Sequence, residues 1–251
     1  MMTYYSQQGE DFLLARFFGQ KPTGFFIDVG AFDGVYLSNS YCFEQLGWSG
    51  ICVEASPRYF ELCKKNRPKS RCVQAACGNE EGGIIDFRDE QGGLFSGVHT
   101  DESYASHCYA AGRIPFRGFE TIKVPSTTLN KLLEGHTGDI DFVSIDVEGS
   151  EEEVLEGFDL DRYRPRLMVL EANTEPEAEA LDRYAQSRGY RLARVMNWNR
   201  FYVRTEADRQ ALRAVTIAAK LEAPPHPLGL GFAKFCYPPS GFVYWPAEAP
   251  A

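Results

Sequence analysis

Short, fully apolar runs alternate with helical stripes between residues 25 and 172, and this rhythm limits the chain to few folds. Phe25-Phe26-Ile27-Asp28-Val29 precedes a helix through Tyr41, Phe43 and Leu46, with Ser38 or Asn39 as its cap and Gly47 as its stop. Ile51-Cys52-Val53-Glu54 precedes a helix opened by Pro57 and carried by Tyr59, Phe60, Leu62 and Cys63. A third strand is expected over Arg71 to Ala76, a fourth over Ile140 to Val147 and a fifth over Leu167 to Glu171. Thr127 or Thr128 caps a short helix through Leu129, Leu132 and Leu133, and another runs from about Ser150 to Glu156. Leu181, Tyr184 and Ala185 form a stripe that stops at Gly189, and Tyr190 to Val195 and Asn199 to Arg204 read as two last strands around a turn at Asn197. Strands apolar on both faces belong in a parallel sheet, so an α/β fold with helices on both faces is expected.

Two stretches break the rhythm. Residues 82–120 are rich in Gly, aromatic and polar residues, with Ile84-Ile85-Asp86-Phe87 as an extra strand. That length exceeds an ordinary connection, which makes the stretch an active-site lid or a disordered insert. The segment from Pro224 gathers Pro224, Pro225, Pro227, Pro238, Pro239, Pro246 and Pro250 with Phe232, Phe235, Tyr237, Phe242, Tyr244 and Trp245. Disordered tails seldom carry so many aromatics, so an ordered strap with a frayed end is expected. The 251 residues suit one domain, with an N-terminal helix at about 6–20 and a C-terminal helix and strap at about 205–251.

Lys+Arg total 26 against 35 Asp+Glu, a net charge of −9 that argues against nucleic acid or an anionic membrane as partner. No apolar stretch approaches the ~18 residues of a membrane span. The start, Met1-Met2-Thr3-Tyr4-Tyr5-Ser6, lacks the basic and apolar regions of a signal peptide. The 7 cysteines, Cys42, Cys52, Cys63, Cys72, Cys77, Cys108 and Cys236, show no C-x-x-C spacing. Reduced thiols in a cytoplasmic protein are expected, rather than a zinc site or a disulfide framework.

Three acid-bearing strand ends carry the chemistry. Asp28 leads into a turn containing Gly30 and Gly34, spaced G-x-x-x-G and not the G-x-G-x-x-G of dinucleotide sites. An acid there repels a pyrophosphate but suits a ligand bearing an ammonium and a sulfonium. Glu54 ends the second strand 20 residues beyond Gly34, where a carboxylate accepts both hydroxyls of a ribose. Asp28, the short glycine loop and Glu54 together favour S-adenosylmethionine over NAD. Asp146 and Glu148 end the fourth strand and Glu171 ends the fifth. Alternation in an extended chain puts Asp146 and Glu148 on one side, and the three acids form a general base or a divalent-metal site. His99 and His107 in the insert are rival bases, and Ser96, Trp198 and Asn199 are weaker candidates for an acceptor pocket. The competing readings are an NAD-dependent oxidoreductase and a non-catalytic interaction protein that keeps the fold.

The segments Ser6-Gln7-Gln8-Gly9-Glu10-Asp11, Phe26 through Gly34, Leu37-Ser38-Asn39-Ser40, Gly47 through Glu54, Asp141 through Glu151 and Val154-Leu155-Glu156-Gly157 together resemble the FkbM family of S-adenosylmethionine-dependent methyltransferases. The resemblance covers residues 6 to about 204. It implies a Rossmann-like methyltransferase fold, a seven-stranded, mostly parallel sheet with helices on both faces and an antiparallel last strand pair. It implies O-methylation of a small-molecule or glycan acceptor, on a sugar or natural-product hydroxyl, with N-methylation as the alternative. By the same resemblance Asp28, Gly30, Ala31 and Gly34 line the methionine and ribose part of the cofactor, with Ser38 and Asn39 beside them. Glu54 binds the ribose, Ala55, Ser56, Ala76 and Cys77 flank the adenine, Gln8 and Gly9 close over the cofactor, and Asp146 faces the transferring methyl. The insert at 82–120 and the strap match no family pattern and are the expected acceptor-recognition parts.

Overall fold

The structure, a computed structural model, describes residues 3–19, 21–90, 92, 95–111, 116–216, 232–237 and 241–246. In chain order the elements are α1 (Glu10–Phe18), β1 (Phe25–Val29), α2 (Tyr41–Leu46), β2 (Ser49–Glu54), α3 (Pro57–Asn66), β3 (Arg71–Gln74) and β4 (Ala76–Cys77). The insert holds β5 (Ile84–Glu90), α4 (Glu102–Ala111) and β6 (Phe119–Thr127). Then follow α5 (Leu129–Leu132), β7 (Phe142–Ile145), α6 (Glu151–Glu156), α7 (Leu160–Tyr163), β8 (Leu167–Glu171) and α8 (Glu175–Ser187). The chain goes on through β9 (Arg191–Met196), β10 (Asn199–Val203), α9 (Glu206–Ala214), β11 (Phe232–Tyr237) and β12 (Gly241–Pro246).

The main sheet has seven strands in the order β3-β2-β1-β7-β8-β10-β9. Strands β3, β2, β1, β7 and β8 pair in parallel, and β10 runs antiparallel to both β8 and β9. This is the expected mostly parallel sheet closed by an antiparallel strand pair. Alternation along each strand divides the core. Ile27, Val29, Ile51 and Val53 pack under α5, α6, α7 and α8, with Leu155, Leu160 and Leu181 among the covering side chains. Phe26, Cys52, Phe142 and Phe201 face α1, α2, α3 and α9 on the other side. There Phe18, Phe43 and Trp48 meet Phe142 with ring centroids 5.1–6.2 Å apart, geometry that adds to the area they bury.

Local signals explain several boundaries. Thr174 and Glu177 form a capping box on α8, and Thr128 caps α5. The helix expected to be capped by Ser38 or Asn39 begins at Tyr41, and the Ser38 hydroxyl accepts the Tyr41 N–H at 3.0 Å.

Three expectations are corrected. The third strand ends at Gln74, because β3 is an edge strand with no outer partner, and Ala76–Cys77 leaves it to pair with Ser126 and Thr127 of β6. The fourth strand stops at Ile145, so Asp146 and Glu148 lie in a turn, with Glu148 in the left-handed region at φ 55°. The insert carries regular structure where described, against the disordered alternative: β5 pairs antiparallel with residues 119–125 of β6, and β6 joins β4 in a three-stranded sheet. At the C-terminus the backbones of β11 and β12 form an antiparallel hairpin, while the rest of the expected strap lies outside the described residues. No helix among the described residues is long and apolar enough to cross a membrane.

Candidate active site

Strand β1 has β2 on one side and β7 on the other, so the connections on its two sides diverge and leave a crevice at the C-terminal strand ends. An open cavity fills this crevice, lined by the loops after β1, β2 and β7. Backbone bonds brace its floor. Gly30 and Ala31 N–H both donate to the Val53 carbonyl at 3.0 Å, and Asp146 N–H donates to the Val29 carbonyl at 3.0 Å. Gly30 sits at φ 82°, and a Cβ there would come 1.8 Å from the Asp146 carbonyl oxygen, so only glycine lets these loops cross. Phe32, Leu37 and Glu148 are non-glycine residues at φ 50–56°, and all three line the cavity. Each such conformation costs about 1–3 kcal/mol and marks a wall whose shape is imposed by its surroundings.

Asp28, Gly30, Ala31, Ser38, Asn39, Glu54, Ala55, Ala76, Cys77, Asp146 and Glu148 all line the cavity. Asp28 accepts from the hydroxyls of Ser38, at 3.3 Å, and Ser40, with the Arg67 guanidinium 4.0 Å away. Burial raises its pKa to about 6 with help from neighbouring Cys52, against the pull of Arg67. Glu54 accepts the Phe32 N–H on one oxygen and the Ser56 N–H on the other, both at 2.8 Å. Burial still pushes its pKa up to about 8.

Oxygens of Asp146, Glu148 and Glu171 lie within 4.8 Å of one another, although extended-chain alternation is not what gathers them. Asn173 donates to Glu171 at 2.9 Å and to Glu148 at 3.4 Å, and Asp146 and Glu171 share a hydrogen bond. Glu171 is buried behind the other two. Asp146 opens toward the cavity, and protein enclosing its other sides raises its pKa. Enclosure first, then repulsion from Asp146, lifts Glu148 and Glu171 well above the carboxylate range. Enclosure and mutual repulsion thus favour the protonated forms of these carboxyls.

Other expected residues stand elsewhere. Gly34 packs on Cys63 and Arg67, and Ser56 opens α3. Gly9 opens α1, and the Gln8 N–H donates to Glu10 at 2.8 Å; neither residue lines the cavity. Asn199 donates to Glu10 at 3.2 Å and ties β10 to α1, while Trp198 is on the hairpin turn. His99 stands 3.4 Å from Glu153, and His107 is exposed on α4, so neither rival base lines the cavity. Ser96 does line it, and Phe87 and Val98 join it from the insert, with Tyr36 from the loop after β1 and Ser144 from β7. Phe87 was detectable in sequence only as the inward member of an alternating strand.

The seven-stranded order with β10 reversed, and a crevice bounded by acid-ended β1, β2 and β7 loops, define a Rossmann-like methyltransferase fold. Residues 28–192 match the Methyltransferase FkbM domain, more than half of the chain, and the protein belongs to that family. Among solved structures, a TehB-like SAM-dependent methyltransferase from Corynebacterium glutamicum is 12% identical, with a TM-score of 0.42, covering 79% of this chain and 88% of its own. The precorrin-6y C5,15-methyltransferase from Geobacter metallireducens is 16% identical at a TM-score of 0.41, covering 77% and 84%. Aeropyrum pernix fibrillarin with natively bound S-adenosyl-L-methionine is 9% identical at 0.40, covering 78% and 72%. No curated protein sequence matches the chain.

Proposed function

We propose that the protein transfers the methyl group of S-adenosylmethionine to a hydroxyl of a sugar, glycan or natural-product acceptor. One observation carries this reading: a single cavity joins the Asp28 and Glu54 strand ends to the Asp146 and Glu148 carboxylates. Each Glu54 oxygen takes one backbone N–H and keeps a second lone pair for a ribose hydroxyl. Asp28 faces the ammonium end. Ala55, Ala76, Phe87 and Val98 give the other end an apolar wall suited to a purine. The chain after β1 runs as loop to Ser40 before α2 begins, so no helix N-terminus sits at Gly30 to receive the pyrophosphate of NAD.

When bound, the cofactor supplies a sulfonium methyl that an acceptor oxygen attacks in line, its sulfur leaving as a neutral thioether. Asp146 orients the acceptor hydroxyl and takes its proton on a carboxylate oxygen. Glu171 holds a proton and donates it in a hydrogen bond to Asp146, which keeps Asp146 ionised and aimed at the cavity. Glu148 borders the same space. The three carboxylates also form a hard-oxygen set of the kind Mg²⁺ accepts, and a cation there would acidify the acceptor hydroxyl. Turnover that survives exhaustive chelation assigns the proton to Asp146 alone; loss restored by Mg²⁺ assigns it to the metal-assisted route. Reduced cysteines at the six described positions support a cytoplasmic location, and the net charge of −9 supports an acceptor other than nucleic acid.

The test is a screen of sugar, glycan and natural-product acceptors with isotope-labelled methyl donor, reading the bond formed by mass spectrometry and NMR. An O-methyl product supports the reading. Label found only on nitrogen overturns the hydroxyl assignment.

A further inference from the structure

Cys52, Cys63 and Cys72 converge where α3 packs on β2 and β3, behind the cofactor loops and outside the cavity lining. Cys52 and Cys72 are register partners on neighbouring parallel strands, so their side chains leave one face of the sheet. Cys63 descends onto them from α3. All three sulfurs lie within 4.8 Å of one another, and Cys63 Sγ is 3.8 Å from Cys72 Sγ. Cys52 and Cys63 are fully buried, while Cys72, on the edge strand β3, is half-buried and is the most exposed residue of the three. Buried cysteines usually serve as small apolar groups. This trio differs in its mutual proximity, its open edge and the adjacent guanidinium of Arg67, which is fixed by Glu44 at 2.8 Å and by the Gly34 carbonyl at 2.9 Å. Methyl transfer uses none of these thiols.

We propose that Cys72 is a hydroperoxide-reactive thiol and Cys63 its resolving partner. The Cys72 thiolate attacks one oxygen of hydrogen peroxide, the O–O bond breaks, and the departing hydroxide takes a proton to become water. Cys72 is left as a sulfenic acid. The Cys63 sulfur then attacks the Cys72 sulfur, the S–O bond breaks, and the second hydroxide leaves as water with the Cys63 proton. Two thiols are oxidised to a disulfide and one peroxide is reduced to two waters. The electrostatics agree with this order. Hydrogen bonds from Cys52 and Cys63 lower the Cys72 pKa to about 4, with Arg67 adding to them, while the Cys63 thiol is raised. Burial and Glu44 oppose that lowering, and the Cys72 sulfur also lies 4.0 Å from the Arg67 and Ser70 carbonyls, so the geometry of the trio carries the assignment.

The disulfide requires the 3.8 Å separation to close to about 2.05 Å. Cys63 abuts Gly34, where a Cβ would lie 3.2 Å from both its Cα and its Sγ, and Arg67 links the same helix end to Asp28. Closing the sulfurs therefore shifts α3 where it packs on the loop after β1. Weaker cofactor binding by the oxidised protein follows, and this arm rests on the cofactor reading above.

The full-length reduced protein is treated with equimolar hydrogen peroxide, blocked with iodoacetamide and digested. Mass spectrometry is expected to find a Cys63–Cys72 link two hydrogens lighter than the separate peptides. In Cys63→Ser a dimedone adduct accumulates on Cys72. Alkylation of the untreated wild-type protein, which needs no variant to fold, is expected at Cys72 at least about tenfold faster than at Cys77 or Cys108. Oxidation spread evenly over the cysteines, Cys72 alkylation no faster than the others, or a stoichiometric thiophilic metal across the trio would each overturn the proposal. S-adenosylhomocysteine affinity is expected to fall about fivefold or more on oxidation and to recover with reductant. An unchanged affinity with the link present overturns the coupling to the cofactor site and leaves the thiol assignment standing.

Discussion

In the proposed mechanism Asp146 and Glu171, two carboxyls of one cluster, take different roles. Glu171 is buried and carries the proton, so glutamine can replace it, donating to Asp146 and accepting from Asn173 as before. Glu171→Gln is expected to keep kcat within about tenfold of wild type. Asp146→Asn removes the proton acceptor and is expected to lose roughly 10²–10⁴-fold in kcat, as measured by labelled methyl transfer. Equal losses in the two variants would contradict these roles. Glu54 offers a test in the absence of substrate. Its pKa is raised in the folded state from 4.5 to about 8, so the native protein binds the extra proton and stability falls as pH rises through that window. One such group contributes at most about 1.4 kcal/mol per pH unit. Thermal unfolding between pH 5 and 8.5 is expected to show a shallower decline for Glu54→Gln than for wild type; parallel curves would refute the shift. The acids at Asp28, Glu54 and Asp146 were legible because each ends an apolar run, and a parallel sheet presents such ends at its crevice. Gly34 and Ser56 lie beside equally good motifs, but their placement depends on how α3 packs, which spacing along the chain does not encode.

At the level of elements, the insert does its work through a short crossing. Gly97 pairs with Arg88 of β5 through two backbone bonds of 3.0 and 3.1 Å, which carries residues 96–98 over the cavity to the loop after β7. A Cβ at Gly97 would lie 3.0 Å from the Val147 carbonyl and 3.2 Å from the Glu148 Cβ. Gly97→Val is therefore expected to push this crossing off the acid loop, at about 1–3 kcal/mol. The expected readout is cofactor Kd, raised about tenfold, with the ligand-free melting temperature shifted by only a few degrees; an unchanged Kd would show that the crossing is not part of the wall. The insert supplies Phe87 and Val98 to the apolar wall that the proposed function assigns to the purine. Strand β6 was hidden in sequence because most of its residues are exposed or half-buried and Pro125 interrupts it. That proline is tolerated opposite Ile84, where the paired ribbon ends. The central strands were legible for the opposite reason, since burial on both faces leaves an unbroken apolar run.

At the scale of the whole molecule, the two helical layers make the sheet a rigid support, and the C-terminal ends of β1, β2 and β7 face an open crevice. The acidity of the chain is concentrated there in part: Asp28, Glu54, Asp146, Glu148 and Glu171 all sit at strand ends or just beyond them. Asp28, which ionises at about pH 6, suits a ligand with a sulfonium and an ammonium better than one with a pyrophosphate. The measurement that tests this most directly is calorimetric titration of the full-length protein with S-adenosylmethionine, S-adenosylhomocysteine and NAD. One equivalent of each adenosyl ligand is expected to bind, with Glu54→Ala weakening both by at least about tenfold and Asp146→Asn binding S-adenosylhomocysteine nearly as wild type does. Binding of NAD in their place, or adenosyl-ligand binding indifferent to Glu54, would contradict the account.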